Sequence, residues 1–352
     1  MTSFVRREAI FSSLGGVFSD FLVNWCRITI RRPKFLPKIT VDDPAWRDAP
    51  TWLIDTGDVT TLGDVKSLRL GHQWLEKFRE AAGGPGHRWM YGNHDAWPGD
   101  FPLFASLGSI DEHRNVLRSR WYKDRLPEDP LSVDIPGRID GAQIQLWTLN
   151  SVVHARDYNT LALGRIQEDR FWEDPSGSRD PGNAVPELAR KIERRSGAAR
   201  DFRILASHHP VHYPEKPAAI MFMTNANEVA RDLLRPGNSM HSPLAHLVLS
   251  GHTHELFPAV GHLPKTGSMC NHDPLSPNQC QLIAGSLSQR RAPATGYPQQ
   301  CQLLRFYYSE AAPDEVIMER LIAARANGLG DYKFVQTSPG NYSEEIVFTF
   351  AA

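Results

Sequence analysis

Gly92-Asn93-His94-Asp95, with the short apolar run Arg88-Trp89-Met90-Tyr91 before it and Ala96-Trp97-Pro98 after it, is the stretch on which the reading of this chain turns. A strand ending in those four residues delivers an amide oxygen, an imidazole and a carboxylate to one tip. An amide carbonyl is a hard oxygen ligand, and imidazole is either a metal ligand or a proton donor, so such neighbours suit a divalent cation doing hydrolysis. Gly, Asn and Asp also populate ordinary turns, so the tetrapeptide alone does not decide. Its companions along the chain do.

Upstream, Thr51-Trp52-Leu53-Ile54 reads as a compact apolar strand closed by Asp55-Thr56-Gly57-Asp58. A helix with apolar positions Leu68, Leu70, Trp74, Leu75 and Phe78 follows it. Strand, acidic glycine turn and helix make an α/β unit. Downstream, strands are expected at Ile144–Leu149, at Phe202–Ala206 ending in Ser207-His208-His209-Pro210, and at Leu244–Leu249 ending in Ser250-Gly251-His252-Thr253-His254. A helix is expected over Glu187–Arg195, and another from a capping box of Asn225 and Glu228 through Leu234. Four strands therefore end in polar clusters, and in α/β sheets the carboxyl ends of strands line one edge where a shared site is built. The tail changes character: Gln281–Ala284, Leu303–Tyr308 and Val316–Leu321 read as antiparallel strands of a second sheet packing on the first. Residues 1–50 are expected to be an N-terminal extension or incomplete first unit, and 51–352 one domain that includes those C-terminal strands.

Composition narrows the function. With 39 basic and 40 acidic residues the formal net charge is -1, so no global field recruits nucleic acid or an anionic membrane, and an anionic substrate must be held locally. Cys26, Cys270, Cys280 and Cys301 are widely spread without a C-x-x-C pair, which fits a reducing compartment. A zinc site joining Cys270 and Cys280 lacks the usual ligand spacing. Arg6-Arg7 invites comparison with an export leader, but Glu8 and Asp20 interrupt the apolar region, and no run approaches membrane-spanning length. A soluble, cytoplasmic chain is expected.

The polar tips bring Asp58, Asn93, His208, His252 and His254, with His94 beside them. One carboxylate, one amide and three imidazoles exceed what one tetrahedral zinc uses, so two divalent metals, Mn, Fe or Zn, are expected, with a carboxylate such as Asp58 able to bridge them. His209 and His212 read as loop histidines, His246 as a structural histidine of a strand, and Asp55 as a strand-end hydrogen-bonding group.

Gly57-Asp58 with Gly63, Gly92-Asn93-His94-Asp95, His208 in its His-x-Pro context and Gly251-His252-Thr253-His254 resemble, in order, four of the five motifs of the calcineurin-like metallophosphoesterases. The resemblance runs from Thr51 to Ser286 and is closest in style to cyclic-nucleotide phosphodiesterase-like members. It implies an α/β fold, a two-sheet β-sandwich flanked by helices in four layers. It also implies that Asp58 bridges the metals, that Asn93, His208 and His252 complete one site, and that His254 serves the other. His94 would donate to the leaving oxygen of a small phosphate ester, with Asp95 orienting it. The first motif, an Asp-x-His, is not found. Its nearest candidate is Val17-Phe18-Ser19-Asp20-Phe21-Leu22, where Leu22 stands in place of the histidine. Two other readings stay open: a degenerate, metal-weakened binding or scaffold protein, and a nuclease of the same fold, which the neutral charge disfavours.

Overall fold

The computed structural model describes residues 52–59, 65–81, 86–90, 92–95, 130–134, 143–152, 164–166, 184–195, 201–211, 223–234, 244–252, 279–284, 299–309, 312–325, 333–334, 336 and 343–349. Asp20, Gly63, His212, His254, Cys26 and Cys270 lie outside the described residues.

The chain folds as an α/β, two-sheet β-sandwich flanked by helices. Its central sheet has five strands in the order β3 (Leu131–Asp134), β4 (Gln143–Leu149), β5 (Phe202–Ser207), β6 (Leu247–Ser250) and β7 (Cys280–Ile283). Strands β4 to β7 run parallel, and β3 is antiparallel at the edge. Parallel strands need crossovers, and α2 (Ala184–Arg195) lies between β4 and β5 in sequence, α3 (Ala226–Val229) between β5 and β6. The second sheet is antiparallel. Its long strand β9 (Ala312–Arg325) pairs with β8 (Gln299–Ser309) on one side and with β10 (Lys333–Phe334) and β11 (Ser343–Thr349) on the other. A parallel pair, β1 (Trp52–Asp55) and β2 (Gly86–Trp89), is joined through α1 (Val65–Ala81).

Strand alternation assigns the two faces. In β5, Ile204 and Ala206 point to one core while Leu205 points to the other. The inner core packs Leu146, Ile204, Leu247 and Leu282 of the central sheet against Val316, Met318, Ile346 and Phe348 of the second, with Met90, Trp52 and Ile54 closing in from the β1–β2 side. Phe202 anchors it, edge-on to Phe348 at 4.9 Å between ring centroids. The outer core packs Trp147, Leu205 and Val248 against Val185, Ala189 and Ile192, which follow the i, i+4, i+7 spacing of one helical face. Each fully buried aliphatic or aromatic side chain contributes about 1.5–3 kcal/mol, so both faces of the central sheet are firmly held.

The expected helix from Asn225 through Leu234 is corrected in its detail. The segment is one α-turn, Ala226–Val229, continued as a π-type turn over Ala230–Leu234. Asn225 makes no side-chain cap bond. Its Oδ1 accepts from Ile166 N–H at 3.1 Å and its Nδ2 donates to Ile166 O at 2.8 Å, so the amide closes a long-range loop contact that no local pattern encodes. Gln281–Ala284, expected as an antiparallel strand of the second sheet, is corrected: it forms β7, buried throughout and paired parallel with β6 in the central sheet, while β3, β10 and β11 have no counterpart in the sequence reading.

Candidate metal centre

Backbone contacts bring the strand tips together. Met90 N–H donates to Asp55 O, and Gly251 N–H donates to His208 O, so the tips of β1 and β2, and of β5 and β6, are each locked in register. The two pairs meet at Gly57. That residue has φ 100°, and a Cβ on it would collide with the backbone of Gly92 and lie 2.7 Å from His208 Nδ1. Glycine is required both by the backbone angle and by the approach of β1 to the β2 and β5 tips.

Asp58, Asn93, His208 and His252 are all buried and converge on one point. His208 Nε2 lies 3.0 Å from Asn93 Oδ1, 3.1 Å from His252 Nδ1 and 3.4 Å from Asp58 Oδ2. His252 Nδ1 lies 3.0 Å from Asn93 Oδ1. The tautomer of His208 follows from its other nitrogen. Nδ1 stands 2.6 Å from the Thr56 carbonyl oxygen, which can only accept, so Nδ1 carries the proton and Nε2 presents a lone pair. A carboxylate oxygen, an amide oxygen and that nitrogen are thus electron-rich atoms turned toward each other, and an imidazole donating its remote N–H to a backbone carbonyl is how metal-ligating histidines are held. The donor set fits a divalent cation of the oxygen-and-nitrogen-preferring kind.

Asp58 and His252 adopt φ of 61° and 66°, a region costly for residues with a Cβ. Strain of this kind persists where the surrounding structure over-determines it, and it clusters at functional sites. Asp95 does much of that determining: its Oδ2 accepts from Asp58 N–H at 2.9 Å, Gly92 N–H at 3.0 Å and Val59 N–H at 3.3 Å. Asp58 Oδ1 in turn accepts from His94 N–H at 3.0 Å. His94 therefore sits on the rim by its backbone, half-buried where its neighbours are enclosed.

Nearby, Asp55 Oδ1 accepts from Gly57 N–H at 3.2 Å, the strand-end bond expected of it. Burial, and after it the charge of Asp95, push the Asp55 carboxyl well above the ordinary carboxylate range; the Gly57 bond opposes this and Asp58 adds to it. His246 is structural, as expected. Its Nδ1 accepts from Arg203 N–H at 3.1 Å, its ring stacks on Phe202, and burial and then Arg203 hold it well below its usual range, hence neutral.

His209 is the residue that sequence reasoning undervalued. It is fully buried, and its ring nitrogens fall with those of His208 and His252 inside a cluster 4.8 Å across. β5 has ended at Ser207, so the strand alternation that would send adjacent residues to opposite faces no longer applies and both rings join the cluster.

A sandwich whose strand tips bring a carboxylate, an amide oxygen and two imidazoles into contacts of 3.4 Å or less at one buried point has a donor set that fits a metal-dependent hydrolase. The chain belongs to the calcineurin-like phosphoesterase family, whose model matches residues 31–256. It is accordingly a metal-dependent phosphoesterase in class. Among solved structures, phosphopantetheinyl hydrolase from Mycobacterium tuberculosis matches at 12% identity and a TM-score of 0.32, covering 62% of this chain and 82% of that one, a likeness too slight to carry an argument. No curated protein matches the chain in sequence.

Proposed function

We propose that this protein hydrolyses a small phosphodiester or phosphomonoester, in the manner of a cyclic-nucleotide phosphodiesterase, at a centre of two divalent metals. The observation that carries the reading is the convergence of Asp58, Asn93, His208 and His252 with the His208 lone pair turned inward. Asp58 would bridge, Asn93, His208 and His252 would complete one site, and His254 would serve the other. Divalent cations bound there supply Lewis-acid polarisation of the ester and lower the pKa of attacking water.

The chain's own residues do the rest. The Asp95 carboxylate pins three backbone N–H groups and so fixes where Asp58 and Asn93 present their oxygens. His94 is read as the group that hydrogen-bonds the phosphate and hands a proton to the leaving oxygen, with Asp95 as its orienting partner. Residues 51–352 are read as one domain, since the second sheet shares its core with the first. Among the described residues no helix is long and apolar enough to cross a membrane. Cys280 and Cys301 stand as thiols outside any disulfide, which supports reading the setting as reducing and cytoplasmic.

The missing Asp-x-His favours a second reading, a centre with one strong and one weak metal that serves binding more than turnover. Metal-loaded protein assayed on a chromogenic phosphodiester, a chromogenic monoester and a cyclic nucleotide separates the two. Turnover of at least one ester supports the enzyme reading. No turnover of any, with one metal bound, supports the binding protein.

A further inference from the structure

The sequence assigns no role to Ser151, and none beyond a loop position to His209, yet the two form a closed pair beside the metal centre. Both are fully buried. His209 N–H donates to Ser151 Oγ at 3.1 Å, and Ser151 Oγ lies 2.8 Å from His209 Nδ1. The first bond uses a lone pair of the hydroxyl, and the second leaves Nδ1 as the acceptor for the hydroxyl proton, since leaving a buried hydroxyl without an acceptor is costly. Nδ1 is therefore the unprotonated nitrogen, and the neutral ring carries its proton on Nε2.

The pair is built rather than incidental. Ser207 Oγ donates to His209 O at 2.9 Å, so the backbone of His209 is held from both sides. Behind the ring runs the segment containing Gly164, where an added Cβ would lie 2.7 Å from both Cβ and Nδ1 of His209. In front, the His209 ring stands edge-on to His208 at 4.9 Å and 87°, and tilted against His252 at 4.3 Å and 47°. A shift of His209 would press on two rings whose nitrogens, His208 Nε2 and His252 Nδ1, lie 3.1 Å apart at the converging donors.

We propose that His209 is a positioning residue of the metal centre: Ser151 holds it as the Nε2–H tautomer, which withholds it from the metals, and its ring sets the planes of His208 and His252. The inference rests on the metal-centre reading above, and goes beyond it by excluding the third clustered imidazole from the ligand set while making it necessary for affinity.

The test uses full-length protein with 15N-labelled histidine, metal-free and zinc-loaded, with the ring nitrogens followed by long-range nitrogen–proton NMR and the metal counted by elemental analysis. His209 is expected to remain the neutral Nε2–H form in both states. His209→Gln should keep the unaltered metal count at saturating zinc while affinity falls roughly 10–100-fold, as for other residues that support metal ligands. Ser151→Ala should weaken affinity in the same direction and turn the single His209 tautomer into a mixture, and Ser151→Thr should restore both. Loss of the Nε2 proton on zinc addition, or loss of one zinc at saturation in His209→Gln, would make His209 a ligand and overturn the proposal. Unchanged affinity in Ser151→Ala would also overturn it, and that variant decides alone where His209→Gln does not fold. If the unaltered protein binds no zinc, the metal-centre reading fails instead, while the tautomer remains readable.

Discussion

Asp58 carries more of the account than any other side chain, because one oxygen accepts from His94 N–H while the other faces His208 Nε2, and its backbone is held at a positive φ to do both. Asp58→Asn preserves the shape and removes the charge. We expect metal content to fall and ester turnover to drop on the order of 10³-fold with the fold intact, as checked by elemental analysis and circular dichroism; equal metal and equal turnover would remove Asp58 from the site. His94 predicts the opposite split. Because its anchoring contact is a backbone N–H, His94→Ala should leave metal stoichiometry unchanged and lower turnover about 10²–10⁴-fold, least for esters with good leaving groups. Departure of metal with the side chain would show that His94 is a ligand.

At the scale of elements, the tips of β1 and β2 are held by carboxylates, and these make two stability predictions. Asp95→Ala leaves the N–H groups of Asp58, Val59 and Gly92 without the acceptor they share. The loss should be about 3 kcal/mol or more, read by denaturant unfolding, and a loss below about 1 kcal/mol would mean that water replaces the carboxylate. Asp55 works the other way. Its folded pKa lies above its unfolded value, so the native state binds the extra proton and stability declines as pH rises from about 3.8 through the folded pKa. Asp55→Asn retains an acceptor for Gly57 N–H and removes that penalty. In metal-free protein it should be more stable than the parent at neutral pH, with the advantage shrinking toward pH 4; parallel stability curves would contradict the assignment. The elements also show what the sequence made legible. Apolar runs ending in Asp58, Asn93, His208 and His252 announced the tips of β1, β2, β5 and β6, because burial and ligand chemistry are written in residue type. Asn225 looked like a helix cap and instead bonds Ile166, and His209 looked like a loop residue and instead enters the cluster. Both depend on partners 58 or 59 positions away, Ser151 and Ile166, which no local pattern can name.

Across the whole molecule, the two cores explain why the site can be strained. Central-sheet strands are buried on both faces, between helices on one side and the antiparallel sheet on the other, so their tips are positioned by parts of the structure that the site does not disturb. A divalent metal bound at those tips would stabilise the whole fold, since a ligand that binds only the native state adds about 2.7 kcal/mol at 100 times its dissociation constant. On the proposed two-metal reading, the missing Asp-x-His predicts unequal sites, the one that Asn93, His208 and His252 would serve outlasting dialysis and the one that His254 would serve filling only at higher concentration. The most direct measurement is the hydrolysis of a chromogenic phosphodiester by chelator-stripped protein as manganese or zinc is added back. The account predicts no turnover without metal, little with the first equivalent, and a rise that follows the second. Hydrolysis that ignores the chelator, or none at any metal concentration in folded, metal-loaded protein, would contradict it.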